Sequence, residues 1–265
     1  MVIPLLTAAL LFAIGLRRLT VRSARNVAGL ERRAWLFGWG WVGLALALVS
    51  PLHEAGEQSF AAHMAEHEML MLLAAPLLVL SEPVAVMLWA FASPGRRWLG
   101  RLGSNPPVRT VWRALTDPVA ATLVQAAALW LWHLPGLFDL ALENTVWHAV
   151  QHACFLVSAL LFWSAMLHPR PGRAGGRGLV VLCLFATSMV SGALGAAMAL
   201  SESPWYAPYA RLPLTRFGLT PAEDQQLAGL LMWIPGGLVH AGAALVIAAA
   251  ALRSGARLGR AADAL

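Results

Sequence analysis

Seven apolar stretches, most of them near the length of about 20 residues that crosses a hydrocarbon core, constrain this chain more than any other feature. They fall at roughly 2–16, 35–52, 59–80, 118–134, 146–167, 179–200 and 225–252, and the first is short. In lipid, backbone N–H and C=O groups find no water, so such stretches satisfy them internally as helices. Composition agrees: 59% of the residues are hydrophobic and 12% are charged, about half the charge of an ordinary soluble domain. The expected fold is all-α, a polytopic membrane bundle of seven transmembrane helices forming a single transmembrane domain over residues 1–265. Val84 to Phe91 is apolar but too short to span. Pro83 precedes it and Ser93-Pro94-Gly95 follows it, so it reads as an interfacial or re-entrant piece.

Orientation follows from arginine, since the chain contains no lysine. Seventeen of the 19 arginines fall between spans 1 and 2 (Arg17, Arg18, Arg22, Arg25, Arg32, Arg33), in 81–117 (Arg96, Arg97, Arg101, Arg109, Arg113), in 168–178 (Arg170, Arg173, Arg177) or in the tail (Arg253, Arg257, Arg260). With seven spans these share one side, and only Arg211 and Arg216 lie opposite. The positive-inside rule then places the C-terminus in the cytoplasm and the N-terminus outside, in a bacterial plasma membrane. The net charge of +6 is topological, and no nucleic-acid partner is expected. The opening run Met1–Leu16 has no leading basic residue and no A-x-A site, so it reads as a retained span in contact with membrane lipid. Acidic residues gather towards the outer face, either to avoid cytoplasmic arginine or to form a mildly anionic vestibule. The largest outer loop, 201–223, is rich in proline and aromatic residues and reads as a segment packed on the membrane face or a partner-docking surface.

Two histidine pairs at i, i+4 spacing, His63/His67 and His148/His152, enter spans three and five from the same side. On a helix each pair shares one face. Polar rings inside a membrane are costly, and four at matching depth point to a metal site rather than to interfacial anchors. His133 closes span four on that side and is equally a ligand or an anchor. His53 reads as solvated loop, with metal capture at the entrance as the alternative, His168 as a cytoplasmic loop residue, and deep His240 as a packing residue or an inner transfer site. Neutral imidazole suits Cu, Zn, Fe and Ni, while thioethers favour Cu(I). Met64, Met71 and Met198 are candidate soft ligands, although packing is methionine's ordinary role. Glu66 and Glu143 are candidate acceptors that orient the rings. Cys154 and Cys183 belong to no CxxC or CxC motif. No P-loop, G-x-G-x-x-G, HExxH or G-x-S-x-G motif is present, so a nucleotide-driven pump or hydrolase is not expected, and the chain is not expected to be an enzyme.

Three blocks carry a family resemblance. His63-Met64-Ala65-Glu66-His67-Glu68-Met69-Leu70 with Ala75-Pro76-Leu77-Leu78 is the first. Trp132-His133-Leu134-Pro135, Phe138-Asp139, His148, Gln151-His152 and Leu161-Phe162-Trp163 make the second, with Gln151 standing where an acidic residue is expected. Glu223-Asp224-Gln225-Gln226-Leu227-Ala228-Gly229-Leu230 and Met232-Trp233-Ile234-Pro235-Gly236-Gly237 make the third. Together they resemble the CtaG family, the assembly factors of caa3-type cytochrome c oxidase, over about residues 35–250. The resemblance implies a plasma-membrane protein that helps mature a haem-copper oxidase at copper delivery. Its partner would be an oxidase subunit or another copper assembly protein. Joined to the histidine pattern, it makes Cu(I) the expected ion and His63, His67, His148, His152 and His133 the expected ligands. A membrane haem b protein with axial histidines, and a metal permease, are the competing readings.

Overall fold

Proline and capping residues set where the helices begin. In the computed structural model, which describes residues 2–22, 27–168 and 176–262, every regular element among the described residues is helical. Arg25, Arg170 and Arg173 lie outside the described residues. The order is α1 (Val2–Arg22), α2 (Val27–Val49), α3 (Pro51–Gly56), α4 (Phe60–Glu68), a π-helical stretch (Met69–Ala74), α5 (Ala75–Ser81), α6 (Pro83–Met87), α7 (Ser93–Ser104), α8 (Pro106–Leu115), α9 (Pro118–Trp132), α10 (Pro135–Glu143), α11 (Thr145–Leu167), α12 (Gly176–Ala199), α13 (Ala207–Ala210) and α14 (Pro221–Ala262).

Five helical segments are long and apolar enough to cross a membrane: Val2–Arg22, Phe60–Ser81, Thr145–Leu167, Gly176–Ala199 and Pro221–Arg253. A sixth arises if α8 and α9, bent by 67°, form one broken span. Two of the seven expected spans therefore do not qualify alone. α9 has 15 residues and rises only about 22 Å. α2 has 23, but Arg32, Arg33, three tryptophans and four glycines dilute its apolar face. Trp35 and Trp39 of α2 point outward, as tryptophan does at a membrane interface.

The central bundle packs α4 and α12 along α14, α9 and α5 against α11, and α2 against α5. Its core includes Phe60, Met64, Phe155, Phe162, Leu184 and Met198. A smaller core joins α1, α2, α5 and α6 through Phe12, Phe37, Leu78 and Val86, with the Phe12 and Phe37 rings stacked at 3.8 Å. The short apolar piece after Pro83 is helical and lies against α1. α12 and α14 approach closely where two glycines face: a Cβ on Gly195 would stand 2.7 Å from the Gly229 carbonyl oxygen. Small residues admit such contact between membrane helices.

The π-helical stretch has a local cause. Pro76 has no N–H, and its ring clashes with the carbonyl four residues back. Widening to i→i+5 relieves the clash but leaves the Met71 carbonyl facing Pro76 without a donor. The Trp163 indole N–H of α11 supplies it, at 2.8 Å.

Candidate metal centre

α4 opens on Ser59, whose hydroxyl accepts from the Ala62 N–H at 3.2 Å. Asp224, one turn into α14, adds a cap from a distant helix. Its carboxylate accepts from the Ser59 hydroxyl at 2.8 Å and from the N–H groups of Phe60 and Ala61. A carboxylate at a helix N-terminus also meets the positive end of the dipole. α11 starts at Asn144, whose side-chain oxygen accepts from Val146 and Trp147 N–H. These caps fix the first turns of α4 and α11, where the two histidine pairs sit.

Within each pair the rings meet through Nε2: His63 to His67 at 3.1 Å and His148 to His152 at 3.1 Å. The pairs then converge. The His63 and His148 rings stack at 5.1 Å and 19°, and His67 lies 5.0 Å from His152 edge-on. Donor atoms of His63, Glu66, His148 and His152 all lie within 4.8 Å of one another. Glu66 is fully buried, and its Oε2 has no hydrogen-bond partner, although His152 Nε2 is 3.9 Å away.

Hydrogen bonding determines which ring nitrogens carry protons. Tyr209 has one O–H, and the Gly56 carbonyl at 2.5 Å can only accept it. The 3.1 Å contact between Tyr209 oxygen and His63 Nδ1 is therefore a bond donated by His63, which leaves its Nε2 bare. His133 Nδ1 donates to the Leu129 carbonyl at 2.7 Å, so its Nε2 lone pair faces Met64 Sδ at 3.4 Å. His53 Nδ1 donates to Glu66 Oε1 at 3.2 Å. Metal-binding histidines are held this way, with the second nitrogen anchored to carboxylate, carbonyl or hydroxyl. The donor set, the bare Nε2 atoms and the orphaned Glu66 oxygen fit a metal ion.

Several sequence expectations need revision at this site. His53 is not solvated loop: α3 folds it inward, its ring stacks 5.2 Å from His148, and it bonds Glu66. That bond holds the His53 pKa above its ordinary value against the opposing effect of burial. Glu143 is exposed at the end of α10 and is absent from the cluster. His133 joins the edge of the centre, 6.2 Å from the His67 ring. Met198 packs in the core, and Met71 lies lower in the bundle. His168 is exposed beyond the far end of α11, and His240 stacks on Trp163 away from the centre.

Loop 201–223 folds over the site. Tyr206 donates to the His133 carbonyl at 3.0 Å. Gln225 ties the loop down, accepting from Trp205 N–H at 2.7 Å and donating to the Ser203 carbonyl at 3.0 Å. Tyr209 is the functional neighbour that sequence reasoning missed. It is buried at 3% exposure rather than displayed on the loop surface. Its only sequence signal was being one of two tyrosines in the chain, both in this loop.

These features define a helical membrane protein with a buried histidine–carboxylate centre lidded by an aromatic loop. The chain belongs to the cytochrome c oxidase caa3 assembly factor family, Caa3_CtaG, whose profile matches residues 10–254. Comparison with curated proteins and with solved structures finds no match.

Proposed function

We propose that the chain is a non-enzymatic copper-binding assembly factor that holds Cu(I) between α4 and α11 and passes it to an oxidase subunit or a second copper assembly protein. The convergence of His63, Glu66, His148 and His152 donors within 4.8 Å carries this reading. Family membership supplies the oxidase as client. A carrier must release its cargo, so a partial shell of two or three ligands suits it better than a closed cage. His67 and His133, beside the cluster, offer alternative ligands, with Met64 Sδ next to His133 as a soft donor.

The same reading takes seven spans, with α2 and α9 completing the bundle, the N-terminus outside and the C-terminus in the cytoplasm of a bacterial plasma membrane. The arginine asymmetry supports it. The centre then opens towards the outer face. Leu214 and Phe217, exposed on the lid loop, form the surface that meets the client.

Elemental analysis of protein purified in mild detergent without chelators tests the reading. One copper ion bound by imidazole is expected at the histidine centre, and that ion should disappear in the variant with His63, His67, His148 and His152 all changed to alanine. Full copper and full oxidase maturation in that variant would sink the assignment. A Soret band in place of copper would move it to haem.

A further inference from the structure

Below the histidine centre the bundle encloses a second polar space. α4, the π-helical stretch, α9, α11, α12 and α14 surround a cavity of about 30 Å³, enough for one water-sized guest. Glu68, Met71, Gln125, Thr187, Met232 and His240 line it. Two oxygens on this lining are buried without a hydrogen-bond partner: Glu68 Oε2 and Gln125 Oε1. Gln125 turns its amide N–H towards Met71 Sδ at 3.2 Å, so its carbonyl oxygen is the free end. His240 lies flat on Trp163, with ring centroids 5.7 Å apart and planes 6° apart. The same Trp163 holds the Met71 carbonyl left open by Pro76. One indole thus positions two donor-bearing residues of the cavity.

A carboxyl group deep in a span is costly and marks function. Two orphaned oxygens beside one small space leave room for a guest that both can contact, a water or a cation, and the thioethers and imidazole beside them favour a soft cation. No arginine lines the cavity. One carboxylate balances one positive charge, and a divalent ion would leave excess charge in low dielectric. The thioethers of Met71 and Met232 and the imidazole of His240 are poor partners for hard cations, which prefer oxygen alone. We propose that this cavity is a second, interior metal site that takes a soft monovalent cation, Cu(I), through Glu68, Gln125, Met71 and His240. The two sites share α4: His67 belongs to the upper one and Glu68 to the lower. The identity of the ion rests on the copper reading of the histidine centre, while the cavity and its donors stand apart from it.

The test uses the full chain in detergent, with Cu(I) titrated alone against a chromophoric chelator and copper K-edge absorption recorded. A His63→Ala/His148→Ala variant should keep about one Cu(I) per chain, with sulfur in its coordination shell. Adding Met71→Leu should remove the sulfur signal. Adding His240→Phe should weaken the remaining affinity about tenfold or more. Met71→Leu conserves volume, and a monodisperse elution profile checks folding. The proposal is overturned if the double variant binds no Cu(I), or if Met71→Leu and His240→Phe leave both shell and affinity unchanged. A wild type holding only the sulfur-coordinated ion would sink the histidine reading and leave this one standing.

Discussion

A single phenol decides the chemistry of His63. Because Tyr209 spends its proton on Gly56, His63 must donate through Nδ1 and present Nε2 to the centre. Tyr209→Phe keeps the ring but removes that acceptor. Metal affinity is expected to fall about 10–100-fold, as it does when an anchoring partner of a ligating histidine is lost, with little change in helix content. An unchanged copper dissociation constant would show that the tautomer is set some other way. Among the histidines, His63→Ala and His148→Ala should each remove the copper held at the histidine centre. His168→Ala should not, because His168 lies exposed at the other end of α11. Acid should strip the metal from wild type, since imidazole binds only when deprotonated. A copper content that stayed constant on titration well below pH 6 would argue for ligands other than histidine. The pairs themselves were legible from i, i+4 spacing, which needs only a helix. Glu66, His53 and Tyr209 were not separable from their neighbours, because their roles depend on α3 and the lid folding onto α4, and spacing along one helix carries no trace of that.

At the scale of elements, α4 depends on α14. Asp224 satisfies N–H groups that every helix start leaves open, and it does so from 164 residues away in sequence. Asp224→Ala leaves those N–H groups and the Ser59 hydroxyl proton buried without an acceptor. The expected loss is about 2–4 kcal/mol, from a charged hydrogen bond plus the stranded donors. It should read as a lower unfolding temperature together with loss of copper. Asp224→Asn, which can still accept, should recover part of both. Equal stability of the alanine variant and wild type would refute the cap. The acidic residue at the start of the last helix was visible in the sequence, but its target was not. The π-helical stretch was likewise hidden: Pro76 announces a disturbance, whereas the widened turn and its Trp163 donor require α11 in place. The short piece after Pro83 was legible as non-spanning, because proline on one side and Ser93-Pro94-Gly95 on the other bound it.

For the whole molecule, the arginine pattern and the helix pattern have to be combined. Hydropathy alone accepts five segments, or six with the bent pair, and an even or odd number of crossings reverses the side on which the tail lies. Counting from sequence reached seven because it took the apolar runs 35–52 and 118–134 as nearly long enough to span. α2 contacts the central bundle through Gly40, where a Cβ would come 3.0 Å from the Leu78 side chain. α9 lies against α11 beside the histidine centre. Helices packed so tightly to spanning neighbours are expected to share their depth. Amphipathic α7 and α8 carry Arg96, Arg97, Arg101, Arg109 and Arg113, which would be expensive anywhere but at a membrane surface facing anionic lipid. With seven spans these helices, the α1–α2 connection and the tail lie together in the cytoplasm, opposite the lid. Reporter fusions after Arg253 should therefore be active only in the cytoplasm, and fusions at exposed Phe217 only outside. Moving the 17 arginines outward would violate the positive-inside rule, so a periplasm-active reporter at the tail would overturn the span count and turn the histidine centre to the cytoplasm. A client reaching copper from outside would then have no route to it, and the delivery reading would fall with the topology.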